Sequence, residues 1–348
     1  MIQKQTLKNH NMENKKVIVF GATGHLGAYI CLHLKEIGYD VYAVGHRKSD
    51  NGFFGDYNMP YYSVDICNKE DYEQLPQNDV YAVVHFAGVL PSYMKSYDDA
   101  GLFVDSVIKG TLNVLEYTRR VKADRIVFPQ SLFDVHYLFG TKVPIPADSE
   151  RKVPAGDHAC YVITKNAAVD LIEHYYNYYG IKRFILRLSR VYMYHPDPYI
   201  YRDGEKRMVA DREWIYKAMR GEDLEVWGDP YKIIETCSIK DFLQIVEKTL
   251  SANVDGGIYN IGSGGSIFCE RMKAIAEVFN PADKKSNIIY RPEKPSTRQF
   301  VLDIQKTVAE LGYEPKCLWK DYLIDFKKEM EAQRFAKLWG TEADYLGK

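Results

Sequence analysis

Short, unbroken apolar runs punctuate the first half of the chain, and between them apolar positions recur at three- and four-residue spacing. Val17-Ile18-Val19-Phe20 is the first run, and residues 41–44, 61–65, 80–86, 125–128 and 184–188 follow. Unbroken runs of this kind suit parallel strands covered on both faces. The helical spacing falls between them: from the glycine-rich turn through Leu34, from about Leu102 to Arg120, and from Tyr161 through Tyr179. Strand and helix in strict alternation build βαβ units and an open, doubly wound parallel sheet. The expected fold is therefore α/β, a Rossmann-type sheet with a smaller C-terminal α/β lobe. Beyond about Pro196 the pattern loosens, as expected of a lobe that closes over a ligand. The boundaries read as an extension over residues 1–14 expected to be disordered, a doubly wound domain over 15–195 and a smaller lobe over 196–348, with strands or helices exchanged between the two.

Composition narrows the function classes. The chain has 348 residues, 46% of them hydrophobic, enough for one large domain and a lobe. Lys and Arg number 46 against 47 Asp and Glu, so no global field draws in nucleic acid or a membrane surface. Any anionic ligand must be met by local Arg or Lys groups. Cys31, Cys67, Cys160, Cys237, Cys269 and Cys317 are scattered, with no CxxC pair and no His at metal-ligand spacing. They read as thiols of a reducing compartment, and no metal is expected. No apolar run approaches the ~20 residues of a membrane helix. The polar N-terminus lacks the apolar centre of a signal peptide, so the cytoplasm is the expected address.

The candidate chemistry begins at Gly21-Ala22-Thr23-Gly24-His25-Leu26-Gly27, directly after the first run. In such a loop the first glycine permits a tight turn, the second lets backbone approach a pyrophosphate, and the third allows close helix packing. The helix N-terminus then offers N–H groups to the phosphates. An acidic residue at the end of the second strand would bind a ribose 2′-hydroxyl; here Gly45-His46-Arg47-Lys48 stands instead. Three cationic or potentially cationic groups favour NADP(H), with NAD the alternative. Asp65, after the third run, reads either as an adenine contact or as a loop cap.

Tyr161 and Lys165 stand four residues apart, on one helix face. An ammonium there is expected to lower the phenol's pKa and so ready it for proton transfer. Ser131, closing Phe128-Pro129-Gln130-Ser131, would polarise the same substrate oxygen. Tyr-x-x-x-Lys alone is a weak signal among 28 tyrosines. Its strength is the order: glycine loop, His85-Phe86-Ala87-Gly88, Ser131, then Tyr161 and Lys165.

That ordered set resembles the NAD-dependent epimerase/dehydratase family, the extended branch of the short-chain dehydrogenases, from about Lys16 almost to the end. Gly110–Leu115, Leu186–Tyr192, Gly256–Ser263 and Leu311–Pro315 add to the likeness. The resemblance implies catalysis by Ser131, Tyr161 and Lys165. It implies a dinucleotide held by Gly21, Thr23, Gly24, His25, Leu26, Gly27, His46, Arg47, Asp65, Ile66, Phe86, Ala87 and Gly88, together with Tyr161 and Lys165. It also implies a nucleotide-linked sugar as substrate and a homodimer through the helices beginning near Gly101 and Tyr161.

The departures bear on the reaction. Leu132-Phe133 replace the Asp-Glu pair that performs water elimination in the family's dehydratases, which argues against dehydration. Arg190 stands where the family has a substrate-binding Asn, and Ile234-Glu235 where it has a diphosphate-binding Arg. Arg291 and Arg298 are then the candidates for the substrate diphosphate, with Arg202, Arg207 and Arg212 as a further cationic group. Val107 replaces a structural Asn behind Lys165. The expected function is an NAD(P)-dependent epimerase or ketoreductase of a nucleoside-diphosphate sugar. The alternatives are a reductase of a non-nucleotide ketone or aldehyde, and a non-catalytic dinucleotide-binding regulator.

Overall fold

A computed structural model describes residues 14–94, 99–156, 158–202 and 204–346. Seven parallel strands form its central sheet: β1 (Lys16–Phe20), β2 (Asp40–Gly45), β3 (Tyr61–Ser63), β4 (Val80–His85), β5 (Arg125–Ser131), β6 (Lys182–Leu188) and β7 (Gly256–Ile261). Their spatial order is β3-β2-β1-β4-β5-β6-β7, so the winding direction reverses between β1 and β4. Ligands of open α/β sheets bind at such a reversal, beyond the carboxyl ends of the strands. The apolar runs are explained by burial on both faces: Val17, Ile18, Val19 and Phe20 are all fully enclosed.

One face of the sheet is covered by α1 (His25–Glu36), and the other by α2 (Gly110–Arg120) and α3 (Ala159–Tyr179). Ahead of α2, the helical residues Ala100–Phe103 and a π-helical turn, Val104–Lys109, make a wider coil. Val107 lies buried inside that turn. The remaining large helices are α4 (Ala210–Met219), α5 (Ile239–Ser251), α6 (Phe268–Phe279) and α7 (Trp319–Ala332). Of these, α5 packs on the α1 face, and α4, α6 and α7 enclose a separate apolar core around Ile215, Met272, Trp319 and Phe326.

The chain crosses the expected boundary near residue 195 twice. Gly256–Ile261 pairs in parallel with β6 as the seventh strand, although it follows much of the lobe in sequence. A short helix, α8 (Ala336–Trp339), brings residues after α7 back to the glycine loop. Residues 1–13 of the expected N-terminal extension lie outside the described residues. No described helix is long and apolar enough to cross a membrane. No cluster of His, Cys, Asp and Glu among the described residues could hold a metal ion.

Candidate active site

A cavity of about 550 Å³ opens where β5 and β6 end, between the sheet and the lobe. Ser131 and Tyr161 line its floor, and Arg190 and Asp211 its far wall. Ser131 closes β5 and caps the 3-10 turn Leu132–Leu138, its Oγ accepting from the Phe133 N–H at 3.2 Å. The buried Gln130 fixes this corner: its Oε1 accepts from the Ser131 N–H at 2.7 Å, and its Nε2 donates to Asn166 Oδ1 on α3 at 2.8 Å.

Tyr161 sits in the first turn of α3, almost wholly buried, with Lys165 one turn further on. Lys165 Nζ donates to the Pro129 carbonyl at 2.9 Å, tying the helix to the strand that carries Ser131. It lies 4.3 Å from the centroid of the Phe128 ring and 5.9 Å from that of Tyr161. The ion-assisted lowering expected for the Tyr161 phenol is not what this geometry gives. Burial pushes the phenol up, and burial pushes the Lys165 ammonium down to about 7. Desolvation is the cause of both shifts, since burial disfavours the charged form of each group. Behind Lys165 lies His85, fully enclosed, with Nε2 and Thr111 Oγ1 hydrogen-bonded at 3.0 Å and Nδ1 unpartnered. Burial and the Lys165 charge hold it down at about 3, so it is neutral.

The turn after Ser131 is clamped from below. Arg187, next to the carboxyl end of β6, donates from Nε and Nη2 to the Asp134 carboxylate at 2.9–3.1 Å. Its Nη1 donates to the Ala147 carbonyl and to Asn260 Oδ1 on β7. Both partners of this ion pair are fully buried.

The glycine loop has the shape a dinucleotide needs. Gly21 has φ +87°, and a Cβ there would stand 2.6 Å from the Phe86 carbonyl carbon. A Cβ on Gly27 would stand 2.0 Å from the Gly21 oxygen, so only glycine lets α1 start so close to the turn. Gly24 caps α1 with no side-chain hydrogen bond and no acid in the first turn, which leaves the helix end open to an anion. The residues present therefore fit the pyrophosphate of a dinucleotide. Phe86 and Ala87 run along this turn from the end of β4. Gly88 follows with φ +146°. Asp65 Oδ1 accepts from the Cys67 N–H at 2.9 Å, the loop-cap role. The Ile66 carbonyl accepts from Asn113 Nδ2 at 2.9 Å, and its side chain fills the space beside Gly110.

His46 and Lys48 are exposed. Arg47 Nη1 donates to the Leu338 carbonyl at 2.8 Å. The preference for NADP(H) rests on the missing acid and on three basic groups; one of these, Arg47, is partly engaged by the chain's own C-terminal segment, and the structure adds no support for that preference.

Of the three arginines assigned to substrate, only Arg190 reaches the cavity. It pairs with the buried Asp211 and stacks 4.9 Å from the Tyr192 ring. Arg291 pairs with Glu225 at 3.1 Å on an exposed edge of the lobe. Arg298 lies beside Gly140, and neither of these two is in the cavity wall. Arg207 pairs with Glu205, and Arg212 is buried against Glu342, while Arg202 lines the cavity. Glu235, standing near the missing arginine, is a structural knot. Its carboxylate accepts from the Thr236, Ser263 and Leu302 N–H groups at 2.8–3.1 Å.

Sequence reasoning missed several wall residues. Tyr93, His158, His195, Tyr199 and Tyr201 line the cavity from loops and from the antiparallel pair Tyr199–Arg202 and Glu205–Met208. The Asp203-Gly204 dipeptide between alternating residues was the available signal for that hairpin.

Comparison with known proteins agrees with this arrangement. A putative UDP-glucose 4-epimerase of Methanocaldococcus jannaschii is 26% identical over 301 residues, 86% of this chain and 93% of that protein. The UDP-glucose 4-epimerase of Rhizobium meliloti is 25% identical, with 88% and 94% covered. A dTDP-glucose 4,6-dehydratase of Haemophilus influenzae is 24% identical, with 88% and 95% covered. Among solved structures, UDP-glucose 4-epimerase of Thermotoga maritima with UDP-glucose has the same fold, with a TM-score of 0.72 at 23% identity over 91% of this chain and 99% of that one. Residues 17–262 match the model of the NAD dependent epimerase/dehydratase family, and the chain belongs to that family.

Proposed function

We propose that the protein is an NAD-dependent epimerase that inverts a secondary carbinol of a nucleoside-diphosphate sugar, with a UDP-hexose as the first substrate to test. The observation that carries this reading is the floor of the cavity. Ser131 and Tyr161 face it with Lys165 beneath, and Leu132 and Phe133 line it where a dehydratase needs acids. The nearest carboxylate in sequence, Asp134, is fully buried and held by Arg187. Elimination of water thus lacks an acid pair directly after Ser131, whereas proton transfer at a carbinol has Tyr161.

The cofactor would be held by Gly21, Thr23, Gly24, His25, Leu26 and Gly27 at its pyrophosphate, with Asp65, Ile66, Phe86, Ala87 and Gly88 along its adenosine and nicotinamide sides. When bound it supplies a reversible hydride acceptor. Tyr161 would act as the phenolate, its phenol first losing a proton to solvent through the cavity against the effect of burial. It then takes the carbinol proton and returns it in the reverse half-reaction, Ser131 donates a hydrogen bond to the same oxygen, and Lys165, when protonated, stabilises the phenolate. Arg190, already neutralised by Asp211, would orient the substrate diphosphate. NAD is favoured over NADP(H) by the family and by the engagement of Arg47. We also assign the residues from 15 to about 195, together with β7, to the dinucleotide domain, and most of the remainder to the substrate lobe. A homodimer through α2 and α3 is supported by the tyrosines at the end of α3, where Tyr178 is 74% exposed. The six unpaired cysteines support a cytoplasmic address.

The test is direct. Purified protein is incubated with UDP-glucose, UDP-galactose and their N-acetyl and uronic counterparts, and the product sugars are separated. Interconversion without net consumption of NAD is expected, and Tyr161→Phe should lower the rate by at least about a hundredfold. Stoichiometric oxidation of NADPH would replace epimerisation by reduction. A protein that binds NAD and converts no nucleotide sugar would refute the proposal.

A further inference from the structure

We propose that the segment from Phe335 to Glu342 is a working part of the dinucleotide site, and that Trp339 is a positioning residue that holds the glycine loop closed and slows release of the cofactor. This rests on the assignment of the glycine loop to a dinucleotide, and it adds a wall to that site which lies beyond residues 17–262 of the family match.

Trp339 is almost wholly buried, and its Nε1–H donates to the Thr23 carbonyl, inside the loop, at 3.0 Å. Its ring stacks on Phe335 with centroids 4.3 Å apart and lies 4.5 Å from the His195 ring. His195 in turn lies 3.6 Å from the ring of His25, the first residue of α1, and His25 Nδ1 and Tyr93 Oη are hydrogen-bonded at 3.0 Å. Thr23 and His25 flank Gly24, where the helix end meets an anion. Trp339 therefore fixes one side of that position directly and the other through His195.

The segment is fastened at both ends. On the sheet side Arg47 donates to the Leu338 carbonyl, and Lys337 Nζ donates to the Gly52 carbonyl and pairs with Asp56. On the lobe side Glu342 accepts from Arg212 and Tyr216 of α4. A segment tied to both halves of the molecule, with its aromatic residue on the pyrophosphate loop, must shift before the loop can open. Long dinucleotide residence suits an enzyme that regenerates its cofactor in each cycle, since release gains nothing.

The test uses the full chain. Bound dinucleotide is counted after acid release, and the affinity and dissociation rate of NAD are measured on stripped protein. Trp339→Phe keeps an aromatic ring, though a smaller one, and removes the donor; Trp339→Ala removes both. Expected are faster NAD dissociation by roughly tenfold for Trp339→Phe and by more for Trp339→Ala, each tenfold corresponding to 1.4 kcal/mol. The midpoint of thermal unfolding measured without NAD should fall far less for Trp339→Phe than for Trp339→Ala, which separates positioning from folding. Dissociation at the parent rate in Trp339→Phe, or a parent protein that binds no NAD at millimolar concentration, overturns the proposal. NAD retention that depends on Trp339 in a protein that turns over no nucleotide sugar would sustain it while removing the proposed reaction.

Discussion

At the scale of single residues, the site depends on groups that touch no substrate. Asp134 and Arg187 are both fully buried, so losing one partner strands a charge away from water. Asp134→Ala is expected to destabilise the protein by about 3–5 kcal/mol in denaturant titration, and to misplace Ser131 through the turn it caps. Gly27→Ala should abolish NAD binding, measured by calorimetry, because its methyl would meet the Gly21 oxygen at 2.0 Å. Both glycines were legible in the sequence because backbone chemistry allows little else there. The Arg187–Asp134 pair was not, since a buried ion pair between residues 53 apart leaves no local pattern. The phenol at Tyr161 teaches the same lesson. A four-residue spacing shows that two groups share a helix face, but their titration follows from how deeply the fold buries them.

At the scale of elements, strands and helices of the sheet were readable from apolar runs and helical spacing, with ends differing by a few residues. Arg125–Ser131 extends three residues past the apolar run, through Pro129 and Gln130, because β6 pairs with it along its whole length. The lobe was less readable. Its cavity wall comes from loops and a hairpin whose placement depends on distant partners. Tyr199 and Tyr201 line the cavity from that hairpin, which lies against Pro91–Tyr93. Replacing both by Ala should raise KM for the nucleotide sugar about tenfold or more, with the amount of bound NAD unchanged. An equal loss of NAD would show that the hairpin serves the cofactor instead.

At the scale of the whole molecule, several basic groups titrate lower in the fold than in the open chain, and their linkage has one sign. His25, His85 and His195 are held at about 4, 3 and 2, each chiefly by burial, against an ordinary 6.5. Lys165 is lowered from 10.5 to about 7. In each window the unfolded chain binds more protons than the folded one, so stability rises with pH. The unfolding midpoint should therefore fall as pH drops from about 6.5 toward 4, and rise from about 7 toward 9, above which the buried thiols of Cys31 and Cys237, raised by burial, act with the opposite sign. His85→Asn should flatten the acid limb; an unchanged limb would contradict the burial of a neutral ring.

Thr23 and Trp339 are 316 residues apart, yet they share one hydrogen bond. At the ~5–20 residues per second of protein synthesis, the glycine loop leaves the ribosome roughly 15–60 s before the indole that fastens it. The nascent chain can assemble its first strands during that interval, but it must do so with the loop unlatched. Termination between α7 and Trp339 would leave most of the sheet and lobe intact and remove this fastening. Such products should accumulate as folded, cofactor-poor protein.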